Sequence, residues 1–174
     1  PSESAVGPSV IALTAIVSVP HPARSVIPSA CRATYERRTV CGETMLSIIG
    51  EFQGACSAAG APDTVVEMAM IDYESYTGWK HSQPKWFPAW TTDRTHPLVE
   101  KSIRGLREAG MTPSFQAYQF CTNASYSAGE AGIPTIGLGP SSEALAHVAN
   151  EYIETEELVR AVDAYRAVLC SVLA

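Results

Sequence analysis

The sequence predicts a mixed α/β fold, and three observations carry that prediction. Residues 10–19 and 30–39 alternate apolar and polar side chains with the period of two that marks half-buried strands. Residues 42–56 and 155–172 repeat their apolar positions at helical spacing. Residues 114–138 read as strand, short helix and strand, an order that calls for parallel pairing.

In the first strand Ile11, Leu13, Ala15, Val17 and Val19 are expected on one face. Pro20-His21-Pro22 ends it in a turn. After Ile27-Pro28 the second strand places Cys31, Ala33 and Tyr35 on one side and Arg32, Thr34, Glu36 and Arg38 on the other. Two strands joined by a proline-rich loop pair antiparallel. Gly42-Glu43-Thr44 opens a helix whose Met45, Ile48, Ile49, Phe52 and Cys56 form a stripe that covers a sheet face, and Gly60 and Pro62 stop it. A third strand is expected from about Thr64 to Ile71.

From Asp72 to Thr95 the periodicity disappears and Tyr, Trp, Pro and Gly accumulate. A connection of that length without an element is unusual. Its Tyr73, Tyr76, Trp79, Trp86, Phe87 and Trp90 either line a substrate pocket or anchor the segment, and packing is the favoured reading because aromatic rings bury large areas. Thr95 reads as the N-cap of a helix ending at Gly110, with Val99, Ile103 and Leu106 inward and Glu100, Arg104 and Glu108 paired on the solvated face. Strands at 114–120 and 133–138 flank a short helix at Ala124–Ala131, which Gly132 caps. Thr155 starts the last helix, with Glu156 and Glu157 favourable to its dipole and Leu158, Val162, Tyr165, Leu169 and Val172 in one stripe.

The chain has 174 residues, 46% hydrophobic and 17% charged, an ordinary globular composition. A formal charge of -6 spread along the chain argues against nucleic acid, which requires clustered Lys and Arg. The longest apolar stretch, Val10–Val19, is too short and too interrupted to span a membrane. Five cysteines show no zinc-ligand spacing; their odd number without a signal-like segment at Pro1–Ser4 predicts reduced thiols in a cytoplasm, packed as small buried hydrophobes.

One segment carries chemistry. In Gly132–Glu151 an apolar run ends at Gly137, Gly139 and Pro140, and His147 follows on the loop beyond. Open α/β sheets bind ligands past the carboxyl ends of their strands. A single imidazole is a ligand and not a site. The other histidines, His21, His81 and His96, have no partner at ligand spacing.

These residues resemble a known family: the dizinc aminoacylases, deacetylases and exopeptidases that include carboxypeptidase G, acetylornithine deacetylase and succinyl-diaminopimelate desuccinylase. The resemblance rests on Gly132-Ile133-Pro134, Gly137, Gly139-Pro140, His147 and Asn150-Glu151, and it extends to Cys121-Thr122-Asn123-Ala124, Ile27-Pro28, Tyr35–Thr39 and Gly42-Glu43-Thr44. It implies that residues 1–92 are a partial lid and dimerisation domain, an α/β sandwich of antiparallel strands plus a helix, with the aromatic-rich crossover. Residues 93–174 are then the C-terminal βαβ-type segment of the zinc-peptidase catalytic domain.

The same resemblance implies a metallohydrolase that cleaves amide bonds of dipeptides or N-acyl amino acids with two zinc ions, for which cobalt or manganese can substitute. His147 would be one metal ligand, with Glu151 as the group behind its imidazole. Thr122 and Asn123 would bind substrate, or else cap the helix that follows. Backbone N–H groups near Gly139 would hold a substrate carboxylate. Arg37 or Arg38 would grip a carboxylate across a homodimer, or serve as a structural or solvated charge. The family's His-x-Asp, bridging Asp and Glu-Glu patterns do not occur in these residues, so no catalytic residue is expected here and the chain reads as an inactive C-terminal fragment. Where the family commonly has Asn before Val-Ile-Pro, this chain has Ser25, which puts an Asn contact there in doubt. The competing reading is a noncatalytic dimerisation or binding module of the same fold.

Overall fold

The computed structural model describes residues 7–22 and 24–174; the Pro1–Ser4 segment lies outside the described residues. The architecture is mixed α/β. The chain divides into two compact units, Pro1–Ala89 and Trp90–Ala174.

In the first unit β1 (Val10–Val19) and β2 (Ala30–Arg38) pair antiparallel as expected. The register shifts between Leu13 and Ala15: Leu13 faces Tyr35 and Ala15 faces Thr34, so Thr14 is an extra residue. Its hydroxyl donates to the Thr34 carbonyl at 3.1 Å. Such a bulge reverses which residues share a face. The expected single stripe is therefore split. Ile11, Leu13 and Ile16 lie on the face of Arg37, Tyr35 and Ala33, whereas Ala15, Val17 and Val19 lie on that of Thr34, Arg32 and Ala30.

Helix α1 (Met45–Ala58) begins with a capping box, in which Thr44 and Ser47 satisfy each other's backbone N–H groups at 3.1 and 2.9 Å. It touches the Tyr35 face of β2 and does not cover it as expected, for Ile11, Leu13 and Tyr35 stay 47% to 49% exposed. Phe52 meets Tyr35 with ring centroids 5.3 Å apart, and Ile48 is the buried residue of its expected stripe. At its edge the Arg37 guanidinium binds the carboxylates of Glu43 and of Glu51, the latter at 2.9 Å. Hydrogen bonds to Glu51 and Glu43 hold the Arg37 pKa above its ordinary value.

The third strand forms later than expected. Residues 64–69 carry no ladder, although Val66 and Met68 remain half-buried in alternation with an exposed Val65. Pairing begins at β3 (Met70–Glu74), which forms a hairpin with β4 (Lys80–Pro84). The supposed elementless connection thus contains a strand, closed by a turn in which Gly78 takes φ +84°. Strict alternation is absent from Lys80–Pro84 because both of its faces are polar. The packing reading of the aromatic run fails at the hairpin tip, where Tyr76 is fully exposed and Trp79 lies stacked on His81 at 5.1 Å.

In the second unit α2 (Pro97–Glu108) packs on α4 (Thr155–Leu173). The N-cap of α2 is His96 and not Thr95: His96 Nδ1 accepts the Leu98 N–H at 3.1 Å. Thr95 instead gives its backbone N–H and its hydroxyl to Asp93, both at 2.7 Å. Those bonds hold the Asp93 pKa below its ordinary value. The solvated face of α2 forms no ion pair among Glu100, Arg104 and Glu108 in the described residues.

The α2–α4 seam is built of small residues. A Cβ placed on Gly105 would lie 2.5 Å from the Ala167 carbonyl oxygen and 2.7 Å from Ser171 Cβ. Ala161, Ala164 and Ser171 of α4 are buried with Val99, Ser102 and Leu106 of α2. Ser171 donates to the Lys101 carbonyl at 2.7 Å, and the Lys101 ammonium donates to the Val172 carbonyl at 3.2 Å, a cation placed well for the end of a helix dipole. The large apolar stripe of α4 points elsewhere: Leu158, Val162, Tyr165 and Leu169 are 42% to 65% exposed.

The expected parallel unit does not form. Neither 114–120 nor 133–138 carries a ladder, and the helix between them is the single turn α3 (Ala124–Ser127). An apolar run becomes a strand only when its N–H and C=O groups meet those of a neighbouring strand, and among the described residues these two runs form no such ladder. Accessible area tells the same story on a larger scale. The chain exposes 13070 Å² for 18.6 kDa, whereas even two separate domains of half that mass would expose about 10,000 Å². No helix among the described residues is long and apolar enough to cross a membrane.

Candidate functional site

The residues singled out by sequence lie in the second unit, on three segments held by side-chain contacts and not by a ladder. The first contact is a ring over a glycine. A Cβ on Gly137 would lie 3.2 Å from Cδ2 and Cζ of Tyr118, so only glycine lets this ring lie on the 133–138 run. Tyr118 stacks on Phe120 at 5.0 Å, and burial pushes its hydroxyl pKa up, with Tyr165 and Glu143 adding to the effect. Next along, the Tyr165 hydroxyl of α4 donates to the Leu138 carbonyl at 3.3 Å. Finally the Glu143 carboxylate accepts the Gln119 N–H at 2.8 Å, tying the loop after Pro140 to the 118–120 segment. Tyr118 carried no signal in the sequence except its place opposite a glycine-rich run.

The loop from Ser141 to Asn150 is backbone-strained. Ser141, His147 and Asn150 have φ of 71°, 60° and 61°. Left-handed backbone costs a side-chain-bearing residue roughly 1–2 kcal/mol, less for Asn. A short 3-10 turn at Glu143–Leu145, capped by Ser142, precedes His147. Glu151 does reach His147, but at the backbone: its Oε2 accepts the His147 N–H at 3.0 Å. This bond holds the strained residue in place and leaves the exposed imidazole free to face outward.

Thr122 and Asn123 separate. The Thr122 hydroxyl accepts the Ala124 N–H at 3.2 Å, a cap for the turn that follows. Asn123 is the N-cap of α3 by position, yet its side chain makes no capping bond and is exposed. Gly139 has open space around it: a Cβ placed there would meet Tyr165 Oη, its nearest neighbour, at 4.0 Å. The Gly139 N–H has no acceptor among the described residues.

Two of the other histidines are engaged in local structure, and His21 is exposed. His96 caps α2, and His81 lies on Trp79 and 3.2 Å from Gln83. Among the described residues no three His, Cys, Asp or Glu side chains are grouped to hold a metal ion. No such group forms around His147. The cysteines are free, and four of the five are exposed, contrary to the expected burial. Two shallow grooves, of about 390 Å³ over α2 and about 730 Å³ along the α2–α4 seam, include none of His147, Asn123 and Gly139.

In the first unit Arg37 is committed to Glu43 and Glu51 with its side chain 14% exposed, while Arg38 is exposed on the opposite face of β2. Ser25 has φ 56°. Asn tolerates that backbone better than Ser, which supplies a conformational reason for Asn at this position, independent of any contact with substrate.

The chain is 31% identical to the Escherichia coli protein YgeY over 154 residues, which cover 88% of this chain and 38% of that protein. It is 28% identical over 82 residues to a Pyrococcus horikoshii protein named as a LysW-lysine/LysW-ornithine hydrolase, covering 47% of this chain and 25% of that one. A Thermococcus kodakarensis protein of the same name is 29% identical over 91 residues, 52% of this chain and 26% of its own length. The chain therefore spans between 23% and 38% of the length of the curated relatives it matches. No solved structure matches it. The sequence profile of peptidase family M20/M25/M40 matches residues 9–171, nearly the whole chain, and the kinship is with metal-dependent hydrolases: this chain is a member of peptidase family M20/M25/M40.

Proposed function

We propose that these residues are the lid and the C-terminal catalytic-domain segment of a zinc-dependent hydrolase that cleaves amide bonds of dipeptides or N-acyl amino acids. The observation that carries this reading is the backbone of His147. Strained residues persist where surrounding bonds over-determine them, and they concentrate at functional sites. His147 is held left-handed by Glu151 and presents an exposed imidazole at the end of the glycine run.

The bound metal would polarise the amide carbonyl and activate water. Within this chain His147 would contribute one imidazole to it. Glu151 fixes the loop that presents that imidazole, and Thr122 orders the turn that presents Asn123. The unused Asn123 carboxamide and Gly139 N–H would hold the substrate's carbonyl or carboxylate. Arg37 or Arg38 would grip a substrate carboxylate across a dimer, Arg38 from the exposed face of β2 opposite the Arg37 cluster.

The outer edge of β1, which pairs no further strand among the described residues, is suited to homodimer pairing, since unpaired ladder groups accept a partner strand. The exposed α4 stripe and the excess accessible area support a catalytic domain completed by chain beyond these residues. Free cysteines fit a cytoplasmic setting.

The test compares this polypeptide with one that includes the upstream part of the gene product. Residues 1–174 alone should bind no stoichiometric zinc and turn over no amide. In the longer protein His147→Ala should remove about one equivalent of metal. Turnover by residues 1–174, or unchanged metal content in the variant, would sink the reading; a longer protein without metal or amidase activity would favour the noncatalytic module.

A further inference from the structure

The peptide between Leu138 and Gly139 ends the glycine run, and two tyrosines hold it from different segments. The Tyr118 ring lies on Gly137. The Tyr165 hydroxyl donates to the Leu138 carbonyl at 3.3 Å. Tyr165 stands on α4, whose Ala161 and Ala164 are buried in the seam with α2, so a packed helix and not a loop carries this hydroxyl.

The Leu138–Gly139 peptide is trans. In a planar trans peptide the C=O and the N–H point in opposite directions. Holding the Leu138 carbonyl against Tyr165 therefore turns the Gly139 N–H away from the tyrosine. That N–H has no acceptor among the described residues. The space beside it is open, since a Cβ on Gly139 would meet Tyr165 Oη as its nearest neighbour at 4.0 Å. Pro140 follows and has no N–H of its own, which leaves the Gly139 N–H as the donor at this corner. Without the hydroxyl the plane can rotate, and the carbonyl, which repels a carboxylate, can take the place of the N–H. We infer that Tyr165 is a positioning residue for substrate binding: its hydroxyl fixes the Leu138–Gly139 peptide so that the N–H is presented to a substrate carboxylate. The inference rests on the hydrolase reading and adds to it a group on α4 that acts without touching the substrate.

Tyr165→Phe removes the hydroxyl and keeps the ring. In the metal-loaded longer protein, with alanyl-alanine or N-acetylalanine as the substrate, whichever is cleaved faster, the variant should raise KM about fivefold at unchanged kcat, the size of one neutral hydrogen bond. Metal content should stay the same. With the methyl ester of the same substrate, which has no carboxylate, KM should not differ between variant and wild type. A merely structural loss would move acid and ester alike. In the 174-residue chain the carbon-13 resonance of the Leu138 carbonyl should move upfield in the variant, while that of Lys101, whose carbonyl accepts from Ser171, stays in place. An unchanged KM for the acid, a parallel rise for acid and ester, or an unmoved Leu138 resonance would overturn the role of Tyr165 and leave the hydrolase reading intact. A wild-type longer protein that cleaves neither substrate would overturn that reading, and this inference with it.

Discussion

The β1–β2 hairpin and the 114–138 region are built from equally apolar sequence, yet only the first becomes a sheet. Strands in a hairpin carry their partner within a few residues and close their ladder locally. Parallel runs must find a partner from elsewhere. In the second unit the 114–120 and 133–138 runs are therefore held by a ring on a glycine, a tyrosine hydroxyl and a carboxylate on a backbone N–H. The first unit is organised by backbone, the second by side chains around a helix pair. Point changes should accordingly act on different observables in each.

The largest effect is expected at the helix seam. Gly105→Ala gains about 1 kcal/mol of helix propensity, but its Cβ meets a backbone carbonyl and cannot be relieved by a rotamer. The clash wins, and Gly105→Val should cost about 3 kcal/mol. Urea unfolding followed by helical ellipticity would show it, with the Tyr35–Phe52 contact unchanged; a stabilised Gly105→Ala would disprove the close seam.

Arg37→Met comes next, at about 2 kcal/mol. Most of that belongs to the bond with Glu43, because Glu51 is 61% exposed and its ion pair is screened. Arg37's pKa is raised above an ordinary value already far above neutrality, so the loss should be the same at pH 6 and pH 9. A smaller and pH-dependent effect is expected at Gly137. The Tyr118 hydroxyl has its folded pKa raised by burial, so its contribution is present below its ordinary value of 10.0 and is lost as pH rises through the folded value. Gly137→Ala must move the ring, costing about 1 kcal/mol. It should also bring the Tyr118 phenolate titration, read by ultraviolet absorbance, back toward 10.0. The smallest change is a gain: Ser25→Asn should stabilise the first unit by some tenths of a kcal/mol, measurable as a raised denaturation midpoint.

Local signals in the sequence are reliable where the element completes itself. The helix opening at Thr44, the start of α4 at Thr155 and the β1–β2 pairing all depend on residues within hydrogen-bonding reach along or just across the chain. The Thr14 bulge is invisible there because its cause is pairing geometry, and a period of two continues through it in sequence while reversing in space. Helix α4 is legible as a helix, but its apolar stripe points to the wrong inner face. Hydrophobic periodicity finds the largest side chains, whereas contact with α2 at Gly105 selects the smallest. At the candidate site the sequence locates His147, but it cannot show that Glu151 reaches the backbone and leaves the imidazole ring alone, nor that Thr122 and Asn123 divide their roles.

The two-sidedness of α4 has a practical consequence. With alanines and serine spent on α2, the helix keeps Leu158, Val162, Tyr165 and Leu169 as an adhesive stripe. In a dilute solution of this polypeptide the stripe is a solubility liability, and the chain should self-associate as its concentration rises. A single charged residue at Val162 would suppress that stickiness without touching the seam, and would do so at the expense of whatever surface the helix is shaped to meet.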